Sequence, residues 1–265
     1  SGVKDPFAAL LAGNAGFHGM LIGETLMRSA DRSGLVAAMT EYFFTGIGSP
    51  MNFFTRLMRR YRQRPLVKIC GITTRSDAEA AAAAGADVLG FILAESKRRI
   101  GIDDLRQFRD LPVLRVAVVQ DPDTAMTETL LGLIADEVIE GVQLHGSESV
   151  ELLQAFQGNA YKVISPADPR ETDEGGYAPL TLIDRPKGAG NDSLGIPFSR
   201  EYRQALNRTF IAGGITPDNL EEVLDRFDPL LIDIASGVEK SPGIKDRDKI
   251  NSIFTIIRKK YGKMV

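Results

Sequence analysis

The chain holds a single cysteine, Cys70, in the run VKICGIT at 67 to 73. One cysteine cannot close an intrachain disulfide, so this thiol is either packed filler or a reagent. Free cysteine is among the residues most often simply buried. As a base it must act as the thiolate, whose reference pKa of about 8.5 has to be lowered or compensated locally. Asp184 closes the apolar run PLTLID at 179 to 184, where a carboxyl is either a partly desolvated proton donor or a structural acceptor. Facing each other across one mouth, the two would form an acid and base pair. His145, in GVQLHG, reads as an acid, a base, a ring-packing group or polar lining. Arg98, in ESKRRIG, is suited to a bidentate grip on a carboxylate, or is a surface charge like Lys97 and Arg99 beside it. Two glycine turns complete the set: Gly213 and Gly214 in AGGI, and Ser236 and Gly237 in ASGV. Glycine lets backbone N–H groups approach an anion closely, so the pair reads as a phosphate cup or as two tight turns. Gly188 and Gly190 in KGAGND add further amide donors.

These residues need a scaffold that gathers them. From Leu66 onward, short β-branched runs alternate with helical stretches: 66 to 72, 88 to 93, 113 to 120, 141 to 146, 161 to 165, 179 to 184, 209 to 214 and 230 to 237. Parallel strands with helical crossovers follow, and eight of them in about 200 residues predict an α/β protein, a compact (β/α)8 TIM barrel. All the candidates above fall at the C-terminal ends of these strands or in the loops after them, where this architecture carries its function. The glycine turns follow strands seven and eight, its usual phosphate site. Asp233, deeper in its strand, reads as a hydrogen bonder inside the barrel. Thr74 and Ser76 open an alanine-rich helix, and Thr216-Pro217 opens PDNLEEVLDRF. The final helix, from about Asp246 to Tyr261, places Ile250, Phe254 and Ile257 on one face. The fifth unit is weak, because 167 to 178 lack apolar periodicity.

The first 45 residues lie outside that count. They read as a helix from Asp5-Pro6, a short strand at 19 to 23 and a second helix capped by Asp31, a partial-barrel fragment too small to bury its own core. Residues 46 to 65 form a connector with a basic amphipathic helix: Phe53, Phe54, Leu57, Met58 and Tyr61 on one side, and arginines from Arg56 to Arg64. Such a helix can lie on a membrane or bind acidic partners. The favoured reading is a linker helix packed on the barrel.

A net charge of -3 argues against nucleic acid as a partner. No apolar run is long enough for a membrane span and no signal sequence is visible, so no membrane partner and a cytoplasmic location are expected, in keeping with one free thiol. An incomplete upstream barrel is expected to expose apolar surface and favour self-association.

In order along the chain, VKICGIT, GADVLGFIL, SKR, GVQLHG, LIDRPKGAG, IAGGITPDNL and DIASGVEKSPGIKD closely resemble phosphoribosylanthranilate isomerase of tryptophan biosynthesis, from about Leu66 to the C-terminus. The resemblance implies an Amadori rearrangement of N-(5'-phosphoribosyl)anthranilate, with Asp184 as general acid and Cys70 as general base. It implies that Arg98 holds the anthranilate carboxylate, that the backbone around Gly188, Gly213, Gly214, Ser236 and Gly237 holds the phosphate, and that no metal or organic cofactor takes part. Two departures stand out: GAGNDSLGIPFS replaces the family's Gly-Gly-Thr-Gly loop, and Ala235 stands where serine is common. The N-terminal piece, through SGV and LIGETLMR, resembles the last two βα units of indole-3-glycerol-phosphate synthase, which many bacteria fuse upstream of the isomerase. The synthase's catalytic lysines and one catalytic glutamate have no counterpart in this sequence, so no synthase activity is expected. The organisation expected is therefore a fragment at 1–45, a linker at 46–65 and an isomerase barrel at 66–265. The competing readings are a related sugar-phosphate isomerase or epimerase, and a non-catalytic barrel that only binds a phosphate ligand.

Overall fold

The computed structural model describes residues 9, 12–13, 19–29, 31–46, 52–61, 64–164, 181–184 and 210–262. Eight parallel strands close into a barrel in sequential order. They are β1 (Leu66–Cys70), β2 (Val88–Ile92), β3 (Leu114–Val119), β4 (Gly141–Leu144), β5 (Ala160–Ile164), β6 (Leu182–Ile183), β7 (Phe210–Ile211) and β8 (Leu231–Ile234). Closure is made by β1 against β8, with Lys68 opposite Asp233.

Alternation along each strand separates two cores. Val67, Ile69, Leu89, Phe91 and Ala117 point outward and pack with the helices, α4 (Arg75–Ala84), α5 (Thr124–Ala135), α6 (Val150–Ala155), α7 (Leu220–Phe227) and α8 (Arg247–Tyr261). Leu66, Val88, Leu114, Val116, Tyr161, Phe210 and Leu231 form the second cluster, which fills the barrel. Thr74 and Asp246 cap α4 and α8 through side chains that accept backbone N–H bonds. Ile250, Phe254 and Ile257 of α8 are buried as the spacing predicts. The helix expected at Thr216 begins at Leu220 instead, because the Asn219 amide turns back: its Oδ1 accepts from Thr216 N at 2.8 Å and its Nδ2 donates to Gly214 O at 2.9 Å.

The connector forms α3 (Phe53–Arg60), which seals the N-terminal end of the barrel. Asn52 caps it by accepting from Thr55 N, and Asn159 Oδ1 accepts the Phe53 N–H at 2.8 Å. Phe53, Phe54, Leu57 and Met58 join the interior cluster; the Phe53 ring stacks on Tyr161 at 5.7 Å, and Tyr161 meets Phe210 edge-on at 5.2 Å. Gly141 leaves room for that ring, since a Cβ there would lie 2.8 Å from it. The arginines engage the barrel itself: Arg56 pairs with Glu137 at 2.8 Å, Arg60 donates to the Pro112 carbonyl, and Arg64 forks onto Asp87 at 2.7 and 3.1 Å.

Ahead of it, α2 (Arg32–Gly46) bears out the helix expected after Asp31, whose Oδ1 accepts from Gly34 N in its first turn, while α1 (Glu24–Arg28) is a short helix the sequence reading did not include and the helix expected from Asp5-Pro6 lies mostly outside the described residues. The partial-barrel expectation needs correction at 19–23, which form no strand. The eight-stranded barrel is closed and offers no edge, and a solitary strand cannot satisfy its own backbone groups. Met39 and Phe43 of α2 are buried in the interior cluster.

Candidate active site

Cys70, His145 and Asp184 stand at the C-terminal ends of β1, β4 and β6, at one mouth of the barrel. His145 Nε2 lies 3.8 Å from Asp184 Oδ2, a proximity the sequence reading did not include. The Asp184 side chain is 32% exposed, which places the carboxyl at the solvent boundary, partly desolvated.

Cys70 is buried, and the space for its sulfur comes from the neighbouring strand. Gly90 of β2 is its register partner, and a Cβ on Gly90 would lie 2.7 Å from the sulfur and 2.9 Å from Cε of Lys68. Burial pushes the Cys70 thiol up; the Lys68 ammonium pulls it down without cancelling that effect, and Asp233 adds to the rise. One layer below, Lys68 is fully buried with its ammonium 2.6 Å from Asp233 Oδ2 and 2.7 Å from Gln143 Oε1, while Tyr161 donates to the same Gln143 oxygen at 2.9 Å. Burial lowers the ammonium's proton affinity, but Asp233, Cys70 and Tyr161 outweigh it, so Lys68 stays charged far above its ordinary range. Asp233 is thus the interior hydrogen bonder expected of it.

Arg98 already grips a carboxylate within the protein. Its bidentate edge is taken by the protein's own Glu239, with Nε at 2.9 and 3.1 Å from the two carboxylate oxygens and Nη2 at 2.7 Å from Oε2. Among the described residues, Nη1 and the outer edge of Nη2 are left for a ligand. The stem of Arg98 crosses Gly71, which has a φ of 75° and no side chain to obstruct it: a Cβ there would lie 2.7 Å from Cδ of Arg98. Glu239 opens β9 (Glu239–Ser241), which pairs with β10 (Ile244–Lys245). Lys245, fully buried, donates to Glu239 Oε1 at 2.8 Å and to the carbonyls of Cys70 at 2.6 Å and Ala235 at 3.2 Å. Burial disfavours the Glu239 carboxylate, yet the bonds from Arg98 and Lys245 overcome it and hold its pKa below the usual range.

The two glycine turns are brought together by close packing. Gly213 and Gly214 adopt φ of 93° and 63°, in the left-handed region that glycine enters without penalty. A Cβ on Gly237 would fall 1.8 Å from the Ile215 carbonyl oxygen, so only glycine lets the turn after β8 lie against the turn after β7. Ser236 beside it is exposed. Gly188 and Gly190 lie outside the described residues, as does the weak fifth crossover. Among the described residues no cluster of His, Cys, Asp and Glu is placed to hold a metal ion.

Lys68, Gly90, Gln143, Glu239 and Lys245 were not singled out by the sequence. The available signal was a lysine in the middle of the otherwise apolar LVKIC, since an interior charge demands a counter-charge.

Residues 67–255 match the family model described as N-(5'phosphoribosyl)anthranilate (PRA) isomerase. The chain belongs to that family. It is 34% identical over 204 residues to the N-(5'-phosphoribosyl)anthranilate isomerase of Petrotoga mobilis, covering 71% of this chain and 97% of that protein. It is 36% identical over 212 residues to that of Desulforudis audaxviator, covering 73% and 98%. The structure of a phosphoribosyl anthranilate isomerase in complex with reduced 1-(o-carboxyphenylamino)-1-deoxyribulose 5-phosphate superposes with a TM-score of 0.63 at 30% identity, over 74% of this chain and 99% of that one. The Thermus thermophilus enzyme gives 0.59 at 37%, over 72% and 96%. The PRA isomerase reading of residues 66 onward is therefore correct, and the chain is an isomerase of tryptophan biosynthesis on a (β/α)8 barrel.

Proposed function

We propose that the barrel converts N-(5'-phosphoribosyl)anthranilate into 1-(2-carboxyphenylamino)-1-deoxyribulose 5-phosphate, with Asp184 as general acid and Cys70 as general base. The observation that carries the roles is the placement of a carboxyl and the only thiol at the ends of β6 and β1, in the mouth of a barrel of this family. Asp184 gives its proton to the furanose ring oxygen; the C1'–O bond breaks and a Schiff base forms. The Cys70 thiolate removes the C2' proton, leaving an enolamine and a thiol. Loss of the C2' hydroxyl proton and protonation at C1' then give the ketone, so protons balance over the cycle. Arg98, oriented by Glu239, offers Nη1 to the anthranilate carboxylate, and His145 lines the mouth beside Asp184. The amides around Gly213, Gly214, Ser236 and Gly237, with Gly188 and Gly190, hold the phosphate. No cofactor enters these steps.

The test is the loss of anthranilate-type fluorescence from freshly made substrate, corrected for spontaneous hydrolysis, in the parent chain, Cys70→Ala and Asp184→Asn. A fall of about 10²- to 10⁴-fold in each variant is expected for a lost acid or base. A folded but inactive parent would favour the phosphate-binding scaffold, and full activity in the variants would overturn the assigned roles.

For residues 1–45 we propose descent from the end of an indole-3-glycerol-phosphate synthase barrel, joined to residues 66–265 through 46–65. The support is the SGV and LIGETLMR motifs together with α1 and α2. Indole-glycerol phosphate formation by this chain would overturn the expectation that the piece is inactive. Leu21 and Met27, 86% and 77% exposed, favour self-association through this piece, which sedimentation of the chain as a monomer at high concentration would exclude. A cytoplasmic location accords with the chemistry and with one free thiol; among the described residues no helix is long and apolar enough to cross a membrane.

A further inference from the structure

A buried lysine below the thiol has no part in the acid and base scheme above. Lys68 and Cys70 are two residues apart on β1 and so point to the same side, into the barrel. The missing side chain of Gly90 creates one notch that both occupy: the sulfur and the Lys68 ε-carbon each lie within 3 Å of the place a Cβ would take. They can be no further apart than those two short distances together. The ammonium is anchored from two strands, by Asp233 of β8 and Gln143 of β4, with Tyr161 of β5 completing the Gln143 contact. Among the described residues, the buried Asp233 Oδ1 has no hydrogen-bond partner, so the carboxylate leans on Lys68 through one oxygen.

We propose that Lys68 is the positioning residue that makes Cys70 a usable base: its ammonium, held at a set depth by Asp233 and Gln143, faces the thiolate through the notch that Gly90 leaves. This inference rests on the reading of Cys70 as the base. Unpaired, a buried thiol is a poor base because burial favours its neutral form. Among the described residues, the charged and titratable groups that act on Cys70 are Lys68 on its own strand, Asp233 across the β1–β8 seam and Lys245 from β10, and those that sense it in turn are Arg98 and Tyr161. Lys68 and Lys245 favour the thiolate and Asp233 opposes it. Lys245 donates to the Cys70 carbonyl and Glu239, which leaves Lys68 as the larger influence on the sulfur. Asp233 therefore has two opposing effects: it holds the ammonium in place and weakens its pull.

The test reads the thiol directly. Thiolate absorbance is titrated against pH as the difference from Cys70→Ala, a clean signal because the chain has no other cysteine. Lys68→Met should move the midpoint up by at least about one unit, a tenfold loss of thiolate at a given pH below it. Asp233→Asn should move it down, and Gly90→Ala, which keeps every charge but fills the notch, should move it up. The low-pH limb of kcat/KM should follow the same order. Each variant is checked for folding by circular dichroism, since removing one member of a buried pair is itself destabilising. The opposite signs expected for Lys68→Met and Asp233→Asn are a result that general loosening cannot produce. Midpoints that stay together, or that move in the same direction, overturn the proposal. Full turnover by Cys70→Ala would instead remove the base role, and the titration separates the two failures because it needs no substrate.

Discussion

Truncation of Phe53 tests whether the helix ahead of the barrel is an attachment or a structural part of it. The ring is fully buried, stacked on Tyr161, edge-on to Phe54 at 5.4 Å and seated over Gly141. Phe53→Ala removes the buried ring and leaves a cavity floored by barrel side chains that β-strands hold in place, which limits collapse. Such a change costs about 3 to 5 kcal/mol, a large share of a total stability of about 5 to 15 kcal/mol. With a urea dependence of about 2 to 3 kcal/mol per molar, the midpoint of the barrel's unfolding should fall by about 1 to 2 M. The assay is urea unfolding followed by far-ultraviolet circular dichroism, with fluorescent turnover measured in parallel without denaturant. Because Phe53 lies at the end of the barrel opposite Cys70 and Asp184, kcat should stay within about twofold. A midpoint shift below about 0.3 M, or a separate early transition that leaves the barrel intact, would show that α3 merely rests on the barrel.

Three further outcomes are expected. Activity should rise with pH across the range in which Cys70 ionises, because burial raises its pKa and the thiolate is the working form; a kcat/KM profile flat from pH of about 6 to 9 would contradict this. The same shift makes the folded state prefer the thiol, so this group's contribution to stability is full below the unfolded thiol pKa and is lost as pH rises through the folded one. Gly237→Ala drives a methyl into the Ile215 carbonyl and should separate the two turns, raising KM by more than about tenfold with a smaller effect on kcat; unchanged KM for the phosphorylated substrate would refute the cup. Glu239→Gln removes the carboxylate that Arg98 and Lys245 share, and the depressed Glu239 pKa means its stabilisation is present above the unfolded carboxyl pKa and lost as pH falls through the folded one. The variant should therefore lose stability at neutral pH and converge with the parent in acid, as thermal melts at two pH values would reveal.

The eight strand positions were legible because parallel strands buried on both faces read as continuous β-branched runs, and their glycine and polar ends mark the functional side of such a barrel. The apolar face of α3 was legible for the same reason, from spacing alone. The partners of its arginines were not: Glu137 is 81 residues beyond Arg56, and Asp87 is 23 beyond Arg64. The Glu239 partner of Arg98 was hidden in the same way, since it lies 141 residues further on and sequence spacing does not reveal it. The strand expected at 19–23 had the right composition but no neighbour, and strand formation depends on pairing more than on propensity.

Lys245, which donates to the carbonyl of Cys70 from 175 residues further along the chain, fixes the order in which the molecule can be completed. The two sides of the β1–β8 seam are among the first and the last parts of the barrel to leave the ribosome, and the Lys68–Asp233 contact spans 165 residues. Contacts of such high sequence separation are slow to form because their loop must close before they contribute. During synthesis, then, Phe53 and Phe54 emerge well before Tyr161 and Phe210 can cover them. The nascent chain carries an uncovered aromatic surface until Phe210 has been translated, the interval in which aggregation competes with folding and chaperones act.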